Sequence, residues 1–273
     1  MQANPNLYSV DVVLHSKFED HPELITLALT YPRYVHAELM THRVFSRNAS
    51  SSRAIPTKTM LKNIKKNPAA PIYWGTNQAG MQAGEELSGW RLWAAKAVWK
   101  AATVSACFFS GLLHKIGLHK QHANRITESY QYITTLVTAT DWDNFYELRA
   151  HPDAQPEIRL LAQMMIKAAS ESRPQVLKQG EWHLPYIRQN EFGVYPLRSL
   201  QEASAARNAR VSYLTHEGRE PNMEADLKLF QRLAGSRPIH ASPLEHVAVP
   251  SWKDNANFRG WKQFRKVVEG EII

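Results

Sequence analysis

The order of the predicted elements indicates an α+β fold. Residues 8–16 alternate apolar and polar side chains and are rich in valine, which is typical of a strand. Residues 24–30 form a second short apolar run of the same kind. Residues 85–118 and 154–169 are longer, and their apolar residues recur at helical spacing. We therefore predict strands near the start of the sequence and long helices after them.

Three further segments have helical patterns. Residues 34–40 predict a short helix that leads into a polar stretch, and residues 221–233 predict another short helix. Residues 119–149 continue the helical pattern after a break at Gly117, so we predict a helix there as well.

Two segments predict irregular structure. Residues 57–89 combine several lysines with a piece rich in Gly, Pro and Asn, which indicates a surface loop or lid. Residues 180–196 are punctuated by Gly and Pro and predict a loop. No internal repeat or low-complexity tract is visible, so we assign residues 1–273 to a single domain.

The composition is that of an ordinary globular protein, with 44% hydrophobic and 21% charged residues. No run of about 18 uninterrupted apolar residues indicates a membrane span. The first residues lack the basic start and apolar core of a secretory signal. The single cysteine, Cys107, excludes an internal disulfide and fits a reducing compartment. We expect a cytoplasmic protein that has no membrane partner.

The net charge of +8 and the pI near 9.5 indicate anionic partners. Nucleotides, folates and nucleic acid all qualify, and net charge does not choose among them.

Residues 42–53 are dense in hydrogen-bond donors. Arg43, Arg47 and Arg53 each present a planar guanidinium that suits phosphate or carboxylate. The short donors in the same stretch are Ser46, Asn48, Ser50, Ser51 and Ser52. The stretch ends near Pro56 and predicts an anion-binding loop that follows a helix.

One pattern in this stretch resembles a family signature. The flavin-dependent thymidylate synthases carry Arg-His-Arg-x-x-Ser-x-Asn-Glu-x-Ser-x-Arg-Tyr. The matching residues are His42, Arg43, Ser46, Asn48, Ser51 and Arg53. Thr41, Ala49 and Ala54 depart from it, replacing the first Arg, the Glu and the final Tyr.

Two further blocks are similar to the same family. Residues 144–149, Asn-Phe-Tyr-Glu-Leu-Arg, precede residues 154–159, Ala-Gln-Pro-Glu-Ile-Arg. Residues 209–213 and 242–246 resemble the Ala-Arg-Val-Ser and Pro-Phe-Glu-His elements. In most members that last pair precedes the signature, whereas here it follows, as if one segment had been moved along the chain. A site in three dimensions does not depend on chain order.

The resemblance implies a fold, a reaction and an assembly. The fold is a mixed or antiparallel sheet flanked by long helices, in a homotetramer whose sites combine residues of several subunits. The reaction moves a one-carbon unit from 5,10-methylenetetrahydrofolate to C5 of a deoxypyrimidine monophosphate, most simply dUMP to dTMP. The cofactors are FAD and NADPH.

The resemblance also assigns residues. Arg149 and Ser51 are the implied catalytic residues, and Arg149 lies beside O4 and N3 of the pyrimidine, where negative charge develops. The implied substrate-binding residues are Glu38, Ser51, Arg53, Arg125 and Arg149. The implied cofactor-binding residues are His42, Arg43, Ser46, Asn48, Asn144, Ser212 and His246.

The departures leave the substrate open. Glu38 stands where the family often has a Gln that touches the nucleotide, and Ala49 removes a carboxylate. Exchanging a donor for an acceptor favours the amino group of cytosine, so dCMP is an alternative to dUMP. A hydroxymethyl product is a further alternative.

A third reading is a nucleic-acid-binding protein that uses the basic, aromatic residues 258–265. Tail aromatics with basic neighbours more often cap a core, and we rank this reading last.

Cysteine and histidine are the residues that would indicate a thiol nucleophile or a metal site. Cys107 lies in an apolar helical context and predicts inert packing, which leaves no credible thiol nucleophile and favours a flavin route. His114, His119 and His122 lack matching carboxylate or cysteine ligands, so we assign no metal site. Residues 182–185, Trp-His-Leu-Pro, receive no role from the sequence.

Overall fold

The central sheet has five strands in the order β3-β4-β2-β1-β5 in the computed structural model, which describes residues 7–211, 222–235, 238–253 and 256–272. Its strands are β1 (Ser9–Lys17), β2 (Leu24–Pro32), β3 (Ser46–Ala49), β4 (Tyr132–Ala139) and β5 (Gln175–Val176). All neighbours pair antiparallel except β1 and β5. The predicted α+β class with a mixed sheet and long helices is confirmed.

Helices surround this sheet. They are α1 (His36–Met40), α2 (Thr57–Lys66), α3 (Gly89–Lys115), α4 (Lys120–Ala123), α5 (Asp143–Arg149), α6 (Pro156–Glu171), α7 (Leu197–Ala209), α8 (Met223–Ala234) and α9 (Phe264–Ile272). Short 3-10 helices span Arg33–Val35, Arg125–Tyr130, Gln189–Glu191 and Ser242–His246. Strands β6 (Ala248–Pro250) and β7 (Trp261–Gln263) form a separate hairpin-like pair.

One face of the sheet is apolar. Alternate residues of β2, namely Ile25, Leu27, Leu29 and Tyr31, point to this face and are buried. They join one core cluster with Ile158, Leu161 and Met165 of α6. The period of two in the strand and the apolar stripe of the helix therefore meet in one core.

The opposite face of the sheet bears hydroxyl groups. Thr26 on β2 lies opposite Thr138 on β4, and Thr30 lies opposite Thr134. Thr26 and Thr138 have no exposed surface. The described residues between 182 and 272 form α7, α8, α9 and the β6–β7 pair, and three of their side chains bond to this face. We call this part of the chain the C-terminal layer.

The helix predicted for residues 119–149 is wrong over most of its length. Only α4 and α5 are α-helical there, and residues 132–139 form β4, the strand between β2 and β3. This segment, Tyr-Ile-Thr-Thr-Leu-Val-Thr-Ala, is dense in β-branched residues, which fit a pleated, buried surface better than a helix.

The first part of the predicted loop at 57–89 is also helical. Residues 57–66 form α2, whose Met60 and Ile64 are buried against Cys107 of α3. Residues 67–88 are irregular apart from a single bridge between Gly75 and Glu86. The signature, predicted as a loop, contains the edge strand β3. The single-domain assignment stays a prediction.

The aromatic tail is part of the core. Phe258, Trp261 and Phe264 are at most 1% exposed. Arg265 pairs with Glu245 and Glu269. These rings are unavailable for stacking on bases, which removes the feature on which the nucleic-acid reading depended.

No helix among the described residues is long and apolar enough to span a bilayer. The cytoplasmic location stays a prediction.

A buried ion network holds the C-terminal layer together. Arg207 of α7 is 1% exposed and donates to both carboxylate oxygens of Glu191, at 2.6 and 2.7 Å. Its Nε donates to Asp226 of α8 at 2.8 Å. The bidentate geometry satisfies a charge that would otherwise be costly to bury.

We predict that Arg207→Met destabilises the protein by about 3 kcal/mol, because it removes the bidentate partner of the half-buried Glu191 and leaves the buried Asp226 with only its 3.3 Å contact to Arg210. Urea denaturation measures the change in unfolding free energy. Lys228→Met is the control, since Lys228 forms an exposed pair with Glu224 on the same layer, and it should leave stability unchanged. Equal stability of the two variants would contradict this role of the network.

Candidate functional site

Strand β3 divides the signature between the two faces of the sheet. Ser46 lies opposite Thr138, and Arg47 lies opposite Val137. Because side chains alternate along a strand, Ser46 and Asn48 face the hydroxyl-bearing side, and Arg47 faces the other side. Since β3 is the edge of the sheet, its outer side has no strand partner among the described residues.

A first group of candidate site residues lies near the start of β3 in space, and we call it the upstream group. Arg149, at the end of α5, donates from Nε to Nε2 of His42 at 3.2 Å. Its Nη2 donates to the Glu38 carbonyl at 3.3 Å and to Thr41 Oγ1 at 3.1 Å. Arg47 donates to the carbonyls of Met40 and His42. These two guanidinium groups therefore bind the carbonyl end of α1, where positive charge is favourable.

His42 is held in its neutral form. It is 7% exposed, stacked on Phe45 and in edge contact with Phe145. Burial lowers its pKa, and the charges of Arg149 and Arg47 lower the pKa further. Because Nε2 accepts from Arg149, the ring proton lies on Nδ1. His42 thus orients Arg149 and does not compete with it for an anion.

A second group lies near the end of β3 in space, and we call it the downstream group. Oε1 of Glu128 accepts from Ser52 Oγ at 2.8 Å and from Arg125 Nη1 at 2.9 Å. Arg33 Nε lies 3.2 Å from the same oxygen. Asn124 donates to the Ser52 carbonyl at 2.7 Å, which fixes the loop just before Arg53. One carboxylate therefore gathers two arginines and part of the signature loop.

The downstream group retains a surplus of positive charge. Arg53 is exposed, and its side chain has no recorded partner among the described residues. Arg33 is half-buried, and burial lowers its pKa, an effect that Glu128 opposes. Two guanidinium groups on one carboxylate, with the exposed Arg53 in the adjoining loop, leave positive charge suited to a phosphate.

The transposed segments lie beside the signature strand. Ser46 bonds to Gln263 at 3.0 Å and to Asn257 at 3.0 Å. Asn48 donates to the Asn208 carbonyl at 3.4 Å. His246 bonds through Nδ1 to Thr138 at 2.7 Å, and Thr138 is the strand partner of Ser46. Residues from both ends of the sequence therefore meet on the hydroxyl-bearing face.

The upstream and downstream groups lie at opposite ends of β3. The strand has four residues and a rise of about 3.3 Å per residue, which separates the backbone at its two ends by roughly 10 Å. One chain therefore presents two clusters of candidate site residues along one sheet edge.

A family model described as thymidylate synthase complementing protein matches residues 13–175. The match covers more than half of the chain and includes β3, β4 and α5. The chain belongs to this family. The resemblance carried by the signature is confirmed, and with it the prediction of a thymidylate synthase-like methyltransferase.

Similar solved structures include the UMP/dUMP methylase PolB of Streptomyces cacaoi. Bound with 5-Br dUMP, it shares 19% identity, with 55% of this chain and 67% of that chain covered and a TM-score of 0.44. Bound with 5-Br UMP, the values are 16% identity, 62% and 90% coverage and a TM-score of 0.49. No curated protein matches the chain.

The remaining residues assigned from the family signature differ in exposure. Arg43 and Asn144 are exposed, which leaves a guanidinium and an amide at the surface for a diphosphate and a ring edge. His246 is fully buried, and its Nε2 lacks a partner among the described residues. This donor set fits a flavin dinucleotide. Ser212 lies outside the described residues.

Sequence reasoning missed several site residues. Arg33, Glu128 and Thr138 were not predicted, and Asn257 and Gln263 were read only as part of a basic tail. Glu128 and Thr138 lie within the segment predicted as helix, so the wrong period concealed them. No local pattern connects Gln263 with Ser46, because their contact is a product of tertiary structure.

The clustered histidines have ordinary structural roles. His119 accepts from the backbone of Gln121 at the start of α4, and His122 bonds to the Gln121 side chain. Within the described ranges, no group of three potential ligands could hold a metal ion.

We predict acid destabilisation from His183 and His246. Burial lowers the pKa of each to about 3, from an ordinary value of 6.5. The unfolded chain takes up these protons below pH 6.5 and the folded chain refuses them until about pH 3. Unfolding free energy therefore falls with decreasing pH across that window, by about 1.4 kcal/mol per pH unit for each ring.

Urea denaturation at stepped pH measures this slope. His183→Gln should reduce the slope by about 1.4 kcal/mol per pH unit, which corresponds to one proton. The exposed His114→Gln should leave the slope unchanged. An unaltered slope in the His183 variant would refute the prediction.

Proposed function

We propose that the protein transfers a one-carbon unit from 5,10-methylenetetrahydrofolate to C5 of a deoxypyrimidine monophosphate, with dUMP as the leading substrate and dTMP as the product. The supporting observation is the contact of Arg149 with the signature residue His42, in a chain whose family is established. Bound FAD, reduced by NADPH, supplies the hydride chemistry.

Arg149 stabilises charge on the pyrimidine. Three hydrogen bonds fix its Nε and Nη2, and no partner in the described part of the chain occupies Nη1. The guanidinium is thus oriented before the ligand arrives. A preorganised cation beside O4 and N3 stabilises the enolate-like, negatively charged form of the ring from which C5 attacks the one-carbon donor, without a reorganisation cost.

The downstream group anchors the phosphate. Arg53 is exposed, and Ser51 immediately precedes the loop residues held by Asn124 and Glu128. Arg125 keeps further N–H groups beside its contact with Glu128. We assign Arg53 and Arg125 to the phosphate oxygens and Ser51 to the same end of the nucleotide.

We assign the flavin to two kinds of residue, exposed ones that contact it and buried or half-buried ones that shape its surface. Arg43 and Asn144 contact it directly from exposed positions. His42, Ser46 and Asn48 have their described contacts within the protein, so we assign them to shaping this surface. His246 presents Nε2, for which the described residues supply no partner. Ser212 keeps its assignment from the resemblance of residues 209–213 alone.

Thiol catalysis does not suit this chain. Cys107 is 4% exposed on α3, and burial raises its pKa. A protonated, enclosed thiol is a poor nucleophile. The flavin route is the one consistent with these residues.

The two clusters at opposite ends of β3 are consistent with an oligomer whose sites are shared. We infer from the family resemblance that a second subunit completes each site. Helix α3 offers an interface, since Trp90, Trp93, Val104 and Phe108 are 60–78% exposed. Contiguous exposed apolar surface of this kind marks an interaction site. We propose the homotetramer of the family.

Glu38 carries the choice of base. Its Oε2 is buried and lacks a partner within the described residues, while its carbonyl binds Arg149. A buried carboxylate oxygen requires a donor. Uracil offers N3–H and cytosine offers the 4-amino group, so this observation makes dCMP the second candidate substrate. The oxidation state of the added carbon, methyl or hydroxymethyl, follows from the product mass.

We predict that purified protein with FAD, NADPH and 5,10-methylenetetrahydrofolate converts dUMP to dTMP, read by mass spectrometry of the nucleotide. Parallel reactions with dCMP and UMP give the specificity, and UMP is included because the solved relatives bind its bromo derivative. Flavin absorbance should be bleached by NADPH. A protein that stays colourless after reconstitution and leaves all three nucleotides unchanged would overturn the proposal.

Variants locate this activity. Arg53→Ala should weaken nucleotide binding at least tenfold, because it removes a phosphate contact, whereas Lys58→Ala, an exposed cation five residues away, should not.

Cys107→Ser should retain turnover. Loss of turnover in the Cys107 variant with normal flavin content would favour a thiol mechanism.

We predict a tetramer in solution whose assembly depends on α3. Val104→Asp places a charge on the exposed apolar face of α3 and should shift the mass measured by light scattering to smaller species. Val194→Asp, at a similarly exposed loop position, should leave the mass unchanged. A monomeric wild-type protein would contradict the interface.

A further inference from the structure

Five fully buried side chains form one hydrogen-bonded relay across the sheet. His246 Nδ1 bonds to Thr138 at 2.7 Å, and Thr138 bonds to Thr26 at 2.7 Å. Thr26 bonds to His183 Nε2 at 2.8 Å, and His183 Nδ1 bonds to Ser16 at 2.8 Å. All five have 0% exposure. The relay crosses β4, β2 and β1. Its two imidazoles come from the C-terminal layer: His246 is at one end, and His183 is next to Ser16 at the other end.

The number of protons restricts how this relay is ordered. Each hydroxyl has one proton, so a threonine between two partners donates to one and accepts from the other. In the first order, His246 Nδ1–H donates to Thr138, Thr138 to Thr26, and Thr26 to His183 Nε2. The proton of His183 then lies on Nδ1. In the second order every bond is reversed, and both rings carry their proton on Nε2.

We propose that His183 is a positioning residue for His246, and that the two imidazoles share one tautomeric state through Thr26 and Thr138. A change of tautomer at one ring requires a change at the other, because a mixed state leaves a hydroxyl without a correctly directed bond. Such a defect is costly in a buried site, because the group it leaves without a partner has lost its bonds to water.

The coupling decides what His246 offers at Nε2. In the first order Nε2 is a bare acceptor, and in the second order it is a donor. Nε2 is the position of this ring that has no partner in the described structure. The meaning of this choice for a flavin or folate rests on the proposed function, whereas the coupling itself does not.

The relay also gives a role to residues 182–185, which the sequence left without one. The backbone of His183 bridges to Ala248 in both directions, at 2.8 and 3.2 Å, which fixes the ring beneath the sheet. Its second nitrogen reaches Ser16 on β1. His15, the neighbour of Ser16, is engaged with Ser172 and Glu23 and is not a member of the relay.

Nitrogen-15 NMR of protein labelled at histidine tests the proposal on the ligand-free chain. At neutral pH, His183 and His246 should carry their proton at the same ring position, in equal fractions if both states are populated. Opposite tautomers in the wild-type protein would overturn the proposal, and this measurement needs no variant.

Thr26→Val provides the second arm, because it removes the central hydroxyl with little change of shape. It should abolish the correlation and shift the tautomer populations of His246, which lies two links away. Thr30→Val is the matched control: Thr30 and Thr134 form the same kind of cross-strand pair outside the relay, 3.3 Å apart. An unchanged His246 in Thr26→Val, or an equal change in Thr30→Val, would refute the coupling.

The result is independent of catalysis. If the tautomers are coupled but no nucleotide is methylated, the proposed function fails and the relay stands. If turnover is found without coupling, the relay fails alone.

Discussion

The burial of a hydroxyl-bearing sheet face is the constraint on which the structure depends. Alternation along β2 and β4 places an apolar row on one side of the sheet and threonines on the other, and both sides are covered. A covered hydroxyl requires a partner. The C-terminal layer supplies His183, His246 and Gln263, so its docking is specified by polar contacts as well as by apolar packing.

This constraint brings the segment that resembles the family's Pro-Phe-Glu-His element against the signature strand. The Pro-Leu-Glu-His block, which ends at His246, follows the signature in sequence but lies against the same sheet face as Ser46. Chain order affects only the connections, whereas the hydroxyls of β2 and β4 need the same partners wherever those partners occur in the sequence. The buried Arg207 network stabilises the C-terminal layer, because it bonds α7 to α8 and to the segment before α7.

Electrostatics at the sheet edge follows from β3. The strand separates the upstream group, in which Arg149 is oriented by a neutral His42, from the downstream group, in which Glu128 gathers Arg33 and Arg125. Positive charge is thus divided between a fixed cation, Arg149, and a cluster of arginines around Glu128. The loss of a signature carboxylate at Ala49 leaves the edge more positive, which fits the basic character of the whole chain.

The sequence by itself indicated the family through its motifs, and it determined the strands β1 and β2 and the long helices α3 and α6, because these depend on local residue patterns. Tertiary structure decided the place of β4, because its β-branched run favours a strand but only pairing with β2 and β3 puts that strand between them. It also decided the partners of Ser46, Thr138 and His246. Those contacts join residues more than a hundred positions apart, and local periodicity carries no information about them.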